Sequence, residues 1–424
     1  MTEILRDKRP VRRRFLRWPS VALIVLAPFA VHAIWGFIEA RRFRATIAAI
    51  ESKGEPTRRA TALPSGDAAR AERYYRAAAA LASRFFSDLT PPILAAERSG
   101  DWSPEVVEQL RTMLAEHELA LQLIDWAAPL PFEGRDPAGY LGGDLMGAIR
   151  LGYFHAIART LDDDAEGAAA ALYSAMRAGR YFEGDLGQLM YSYWAVSAAR
   201  PALERTRPSQ SRLALLAQAI AEVDLDDILR AQFLFLRIEL LRERPADPSV
   251  IGPRARPVLL VNRPLRTHRA VSQLHALDRL LQATSQPWPD RINAVSTTDA
   301  RALAGFAFGP GEVDRERLEG VVFRSVRPLA VIRAMRIAVA IERYRRDHDE
   351  VLPNDLSALL PTCLASVPID PFTGKDMRFT KDGGGYVVYS VGSDGRDDGG
   401  DVAVRWRDGD RNAPDPGIRI RYAK

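Results

Sequence analysis

The chain has 424 residues, 47% hydrophobic and 27% charged, which allows a sizeable core and excludes a collagen, a disulfide miniprotein or a wholly disordered chain. Its formal charge of +5 comes from 59 Lys+Arg against 54 Asp+Glu, and residues 1–18 alone carry seven bases and two acids. Beyond them 52 bases face 52 acids, so no net field remains to collect phosphates, and a nucleic-acid partner is not expected.

The first element is an apolar run, Trp18 to Ile38, reading WPSVALIVLAPFAVHAIWGFI. Such a run, wound at about 1.5 Å per residue, spans the roughly 30 Å of a hydrocarbon layer. The denser basic cluster precedes it, Trp18 and Trp35 suit the interfacial belts, and Pro28 is tolerable in a membrane helix. We therefore expect a basic cytoplasmic tail (1–18), a transmembrane anchor (19–38) and the bulk of the chain on the far side. Val31-His32-Ala33 loosely fits a cleavage site, but the run exceeds the usual signal-peptide core of about 7–15 residues. The single Cys363 cannot form an intramolecular disulfide.

Residues 39–66 read as a basic helical extension and a Pro/Gly/Ser linker, and 67–310 as an irregular antiparallel helical array. Leu141, Leu145, Ile149, Tyr153 and Ile157 step by four and predict one buried helix face. Similar stripes fall at 67–87, 104–126, 165–181, 186–205, 211–223 and 226–243, and Ser103-Pro104-Glu105 and Asp162-Asp163-Asp164 supply start signals. No 34-residue repeat is sustained. Between 245 and 266 prolines and arginines should break the pattern; helix is expected again at 267–284 and from 311 to 346, with Val331, Met335, Ala338 and Ile341 or Glu342 marking its turns. After His348 the period drops to two. Runs at 377–380, 386–389, 402–406 and 418–422, separated by Gly/Asp/Pro turns, predict a small antiparallel meander. The fold class is thus mainly α, with a small α+β domain at 311–424.

That last segment carries the informative motifs: IERYRRDHDEVLPNDLSALLP, then VPIDPFTGKDMRF, then GYVVYSVGSDGRDDGGDVAV. Asp394, Asp397, Asp398 and Asp401 crowd among Gly392, Gly395, Gly399 and Gly400, and such a cluster is either solvated or neutralised by a hard cation such as calcium. In order and spacing the three motifs resemble the periplasmic domain of the type II secretion major pseudopilin G, over roughly residues 325–405. The resemblance implies a long helix before a small sheet and a calcium loop. Within that loop Asp394 and Asp401 match carboxylate ligands, Val391 matches a carbonyl ligand, and Asp397 or Asp398 stands in for the family acid that Val402 replaces. Gly36-Phe37 lies at the far end of the apolar run, before Glu39, so no prepilin processing site is present and polymerisation as a pilus subunit is not expected.

Catalytic signals are sparse. No H-E-x-x-H, G-x-S-x-G or phosphate-loop motif occurs, and His268 and His275, seven apart, read as ordinary helix-face histidines. Asp226-Asp227 and Glu239-Glu243 are acid pairs of the kind any charged helical protein carries, and Tyr181-Phe182, Tyr191, Tyr193 and Trp194 read as helix core. The reading that follows is a non-enzymatic, single-pass protein of the bacterial inner membrane. Its periplasmic bulk would join a helical interaction domain, which binds an envelope partner such as a secretion or pilus component, to a calcium-stabilised pseudopilin-G-like module. The alternative is an envelope hydrolase of peptide or glycan that uses this module for docking.

Overall fold

Residues 18–55, 65–131, 142–179, 198–223, 226, 228–242, 256–303, 315–402 and 415–422 are described by the structure, a computed structural model. Side chains are described from Leu26 in the first helix and from Arg263 in the helix that begins at Arg256. The chain divides into two compact units, one of Met1–Thr57 with Leu240–His275, the other of Arg58–Glu239 with Ala276–Lys424. The result is mainly helical, with a three-stranded antiparallel sheet near the C-terminus.

In the first unit, α1 (Trp18–Ser52) runs unbroken through the apolar segment and its basic extension. Beside it lies the N-terminal part of α12 (Arg256–Ala283), whose Pro264 ring packs close to Gly36. Helix therefore begins eleven residues before the expected 267. Pro257 sits in the first turn, where no N–H partner is needed, and the interior Pro264 is buried against α1 rather than ending the helix. Among the described residues no helix is long and apolar enough to cross a membrane; the side chains of Trp18 to Val25, the first part of the apolar run, lie outside them.

The second unit opens with α2 (Gly66–Leu81), α3 (Phe85–Asp88), α4 (Pro91–Ser99), α5 (Pro104–Glu116) and α6 (Glu118–Ala127). Ser103 caps α5 as its sequence suggests, with Oγ accepting from the Val106 N–H at 3.4 Å. The expected helix at 104–126 is broken at His117, whose ring is held by Asp88 at 3.2 Å and by the Phe85 edge. Next come α7 (Gly142–Leu161) and α8 (Ala165–Gly179), an antiparallel hairpin; Leu145, Ile149, Tyr153 and Ile157 are buried as predicted, while Leu141 lies outside the described residues. Gly147 lets α7 approach closely, since a Cβ there would lie 2.4 Å from the Ala82 carbonyl oxygen. Asp164 starts α8 by accepting the Gly167 N–H at 2.8 Å. Of the stripe at 186–205 only 198–205 (α9) are described, and they are helical. α10 (Gln210–Val223), α11 (Ile228–Arg242) and α13 (Asp290–Ser296) complete the array.

α14 (Arg315–Asp347) is the axis of this unit: it packs on α10, α13 and the sheet. The helix expected there is present, and Val331, Met335, Ala338, Ile341 and Glu342, which mark its turns, are buried within a helix enclosed all round, from Ser325 to Met335 and again from Ile337 to Glu342. A helix buried on every side, Arg327, Arg333 and Glu342 included, must be enclosed, and here the helical array covers one side and the sheet the other. The sheet has the order β1 (Arg378–Asp382), β2 (Gly385–Tyr389), β3 (Gly417–Arg421), with Phe379 opposite Val388, and Ile420 and Ile418 opposite Tyr386 and Val388. A simple meander was expected, but β3 joins β2 only after the long excursion 390–416. The run at 402–406 enters as a single parallel bridge from Val402 to Asp415, and its remainder lies outside the described residues.

One buried cation ties three of these helices. Arg177 of α8 donates to the Ala128 and Leu130 carbonyls just past α6 (2.9 and 2.8 Å) and pairs with Glu222 of α10 at 2.8 Å. A cation at a helix C-terminus meets orphan carbonyls there, and removing it leaves them and the carboxylate unpaired. Arg177→Ala is expected to lower the unfolding free energy of the full chain by about 3 kcal/mol, read by urea denaturation.

Candidate functional site

The acidic loop, 391–401, crosses the outer face of the sheet. All four of its glycines have positive φ, from 67° to 75°, which coils the backbone tightly. At Gly400 a side chain is excluded twice over, because a Cβ would also lie 2.9 Å from Val387 and 3.1 Å from the Tyr389 ring. The loop thus covers the face of β2 that carries Val387 and Tyr389, while Tyr386 and Val388 face α14, and all five β2 residues are buried.

Its acids are used as fasteners. Asp397 accepts from the Tyr389 hydroxyl (3.1 Å), the Gly399 N–H (3.0 Å) and Arg378. Burial pushes the Asp397 carboxyl up, but these donors outweigh it and hold the group below its ordinary range. Asp394 is exposed and accepts the Arg396 N–H at 3.0 Å. Asp398 and Asp401 are exposed, and the Asp401 N–H donates to the Asp398 carbonyl at 3.3 Å. Val391 is 2% exposed. Arg419 of β3 donates to the Gly400 carbonyl at 2.6 Å. Among the described residues no three carboxylate, imidazole or thiol side chains are grouped so that they could hold a metal ion.

Asp415, which sequence reasoning passed over, lies beneath the loop. It is 2% exposed and accepts from the Asp398 N–H at 3.2 Å and from the Gly400 N–H. Burial raises its carboxyl; those N–H groups oppose the rise, the Asp398 and Asp397 charges add to it, and the net value is about 6. Its only signal in the sequence is a lone acid after a Pro-containing run, far from the motif it supports.

The other two motifs have structural work as well. In the Asp370-Pro371-Phe372-Thr373-Gly374 turn, the buried Asp370 accepts from the Phe372 N–H (2.9 Å) and from the Ser390 hydroxyl (2.6 Å), which fastens the turn to the start of the acidic loop. At the end of α14, Glu342 is 1% exposed and lies 3.0 Å from the Tyr386 hydroxyl, 2.6 Å from the Tyr422 hydroxyl and 2.7 Å from Arg345. Burial raises the Glu342 carboxyl, and Arg345 and the two hydroxyls offset this only in part; both phenols are raised in turn by burial beside it. Arg345 also lies 3.7 Å over the Tyr422 ring and grips Glu350, which with Asp349 takes a left-handed φ unusual for non-glycine residues.

The remaining candidates are engaged elsewhere or out of view. The Asp226 carboxylate accepts from Trp288 Nε1 (2.9 Å) and Arg333 (2.8 Å), and its carbonyl accepts from Arg291 (2.7 Å). Asp227, Glu243, Tyr181, Phe182, Tyr191, Tyr193 and Trp194 lie outside the described residues or have undescribed side chains. His268 Nδ1 sits 3.3 Å from Glu39, His275 is exposed, and Cys363 is a half-buried free thiol whose carbonyl accepts from Arg343. Comparison with protein-family models, curated proteins and solved structures finds no match for this chain.

An acid whose folded pKa is raised favours folding at low pH and loses that advantage as pH rises through the folded value. Asp415→Asn should therefore become more stable relative to the parent chain as pH rises from about 4 through 6, measured by thermal melts across that range.

Proposed function

We propose that this is a membrane-anchored bacterial envelope protein without catalytic activity, in which α1 holds a helical interaction domain and a pseudopilin-G-like module at the membrane. One observation carries the anchor. Leu26, Phe29, Val31, Ile34, Trp35, Phe37 and Ile38 are each between 38% and 71% exposed within thirteen residues, seven of the fifteen large exposed hydrophobic side chains among the described residues. They occupy well over half the circumference of α1. A surface so apolar is costly in water and suits hydrocarbon. The module reading is supported by a long helix followed by a three-stranded antiparallel sheet, and by the joint anchoring of the Asp370 turn and the Ser390 loop. The partner would be an envelope component, with secretion or pilus-like assemblies the class the motifs suggest.

Calcium enters this reading as a ligand that would rearrange the loop. It would turn Asp394 and Asp401 inward with Asp397 or Asp398, and release the present contacts of Asp397. Since the helical array covers α14, the test belongs on the full chain: calcium should raise its melting temperature over chelator, and Asp394→Ala should abolish the rise. An unchanged melt removes calcium from the account. For the anchor, full-length protein expressed in bacteria should stay in the membrane pellet after alkaline carbonate washing, and release into the supernatant would overturn it.

A further inference from the structure

The first unit offers more than a span, because α12 runs alongside α1 at the point where the apolar segment ends. Gly36 faces Pro264 and Glu39 faces His268, so both helices advance in the same direction along this contact. Further along, Val271 of α12 and Ile50 of α1 are also buried. At 1.5 Å per residue, the eight residues before Pro264 carry the α12 backbone about 12 Å back alongside the apolar part of α1. In sequence that stretch is Arg256-Pro257-Val258-Leu259-Leu260-Val261-Asn262-Arg263, five apolar residues between polar ends. Just past it, Leu265 is 56% exposed.

Around this junction the exposed charge is all of one sign. Arg41 and Arg44 on α1 and Arg263 and Arg266 on α12 are exposed, while across 36–50 and 263–271 the sole acid is Glu39. Glu39 is 2% exposed and turned into the helix contact, where Arg42 (3.1 Å) and His268 (3.3 Å) hold it. Arginines emerging from an apolar surface reach sideways into the headgroup layer, and each contributes attraction to an anionic leaflet.

We propose that α1 and the start of α12 form one membrane-seated pair, ringed by an arginine collar that binds anionic phospholipid headgroups on the side of the membrane facing the bulk of the protein. The proposal rests on the anchor reading above and extends it from attachment to lipid choice. The full-length protein would be reconstituted in phosphatidylcholine vesicles containing one-fifth phosphatidylglycerol and extracted in mild detergent, and its retained lipids would be quantified by mass spectrometry. Wild type should carry phosphatidylglycerol at about three times its bulk share or more. The variant Arg41→Gln/Arg44→Gln/Arg263→Gln/Arg266→Gln should return to the bulk share, and the matching four-Lys variant should keep the enrichment. Bulk composition on wild type, or equal enrichment on the Gln variant, overturns the collar. Flotation on pure phosphatidylcholine vesicles separates the two readings: a wild type that floats yet shows no enrichment has an anchor without a collar, whereas one that fails to float has lost both.

Discussion

The buried carboxylate of Glu342 is the constraint on which the larger unit depends. A charged group removed from water is costly unless its lone pairs are filled, and here each partner comes from a different place: Tyr386 from the central strand, Tyr422 from just past the last strand, Arg345 from the same helix. These hydrogen bonds are directional, so they fix the rotation of α14 against the sheet in a way that Ile418, Ile420 and Val388 alone would not. Arg345 then extends the network to Glu350 and holds the left-handed turn that ends the helix before Leu352-Pro353.

From that constraint follows the arrangement of the rest. With one side of α14 committed to the sheet, its other side is free for α10 and α13, and the helix becomes buried on every face. The outer face of β2 still needs a cover, and the acidic loop provides it. Its acids serve first as hydrogen-bond acceptors for Tyr389, Arg378 and the loop's own N–H groups. The density of aspartate and glycine that suggests a cation site is thus also what a short polar lid over an apolar strand requires.

Much of the helical grammar was legible. The four-residue step through Leu145, Ile149, Tyr153 and Ile157, the Ser103 cap and the Asp164 start all appear where local sequence places them, because caps and stripes are local properties. What escaped was non-local. Glu342 reads as one more helix acid until two tyrosines distant in sequence close on it, and Asp415 has no motif at all. The prolines at 257 and 264 read as breakers because sequence does not reveal that one falls in a first turn and the other against Gly36. The turns of α14 were legible as helix, but not its burial on every side, because both covering layers come from elements far away in the chain.

Urea denaturation of full-length Glu342→Ala, followed separately by far-UV circular dichroism and by tryptophan fluorescence, tests the claim that helix and sheet form one cooperative core. The account predicts a single coincident transition for both probes, displaced by about 3–5 kcal/mol from the parent chain. A transition split between the probes, or a helical signal still melting at the parent midpoint, would contradict it.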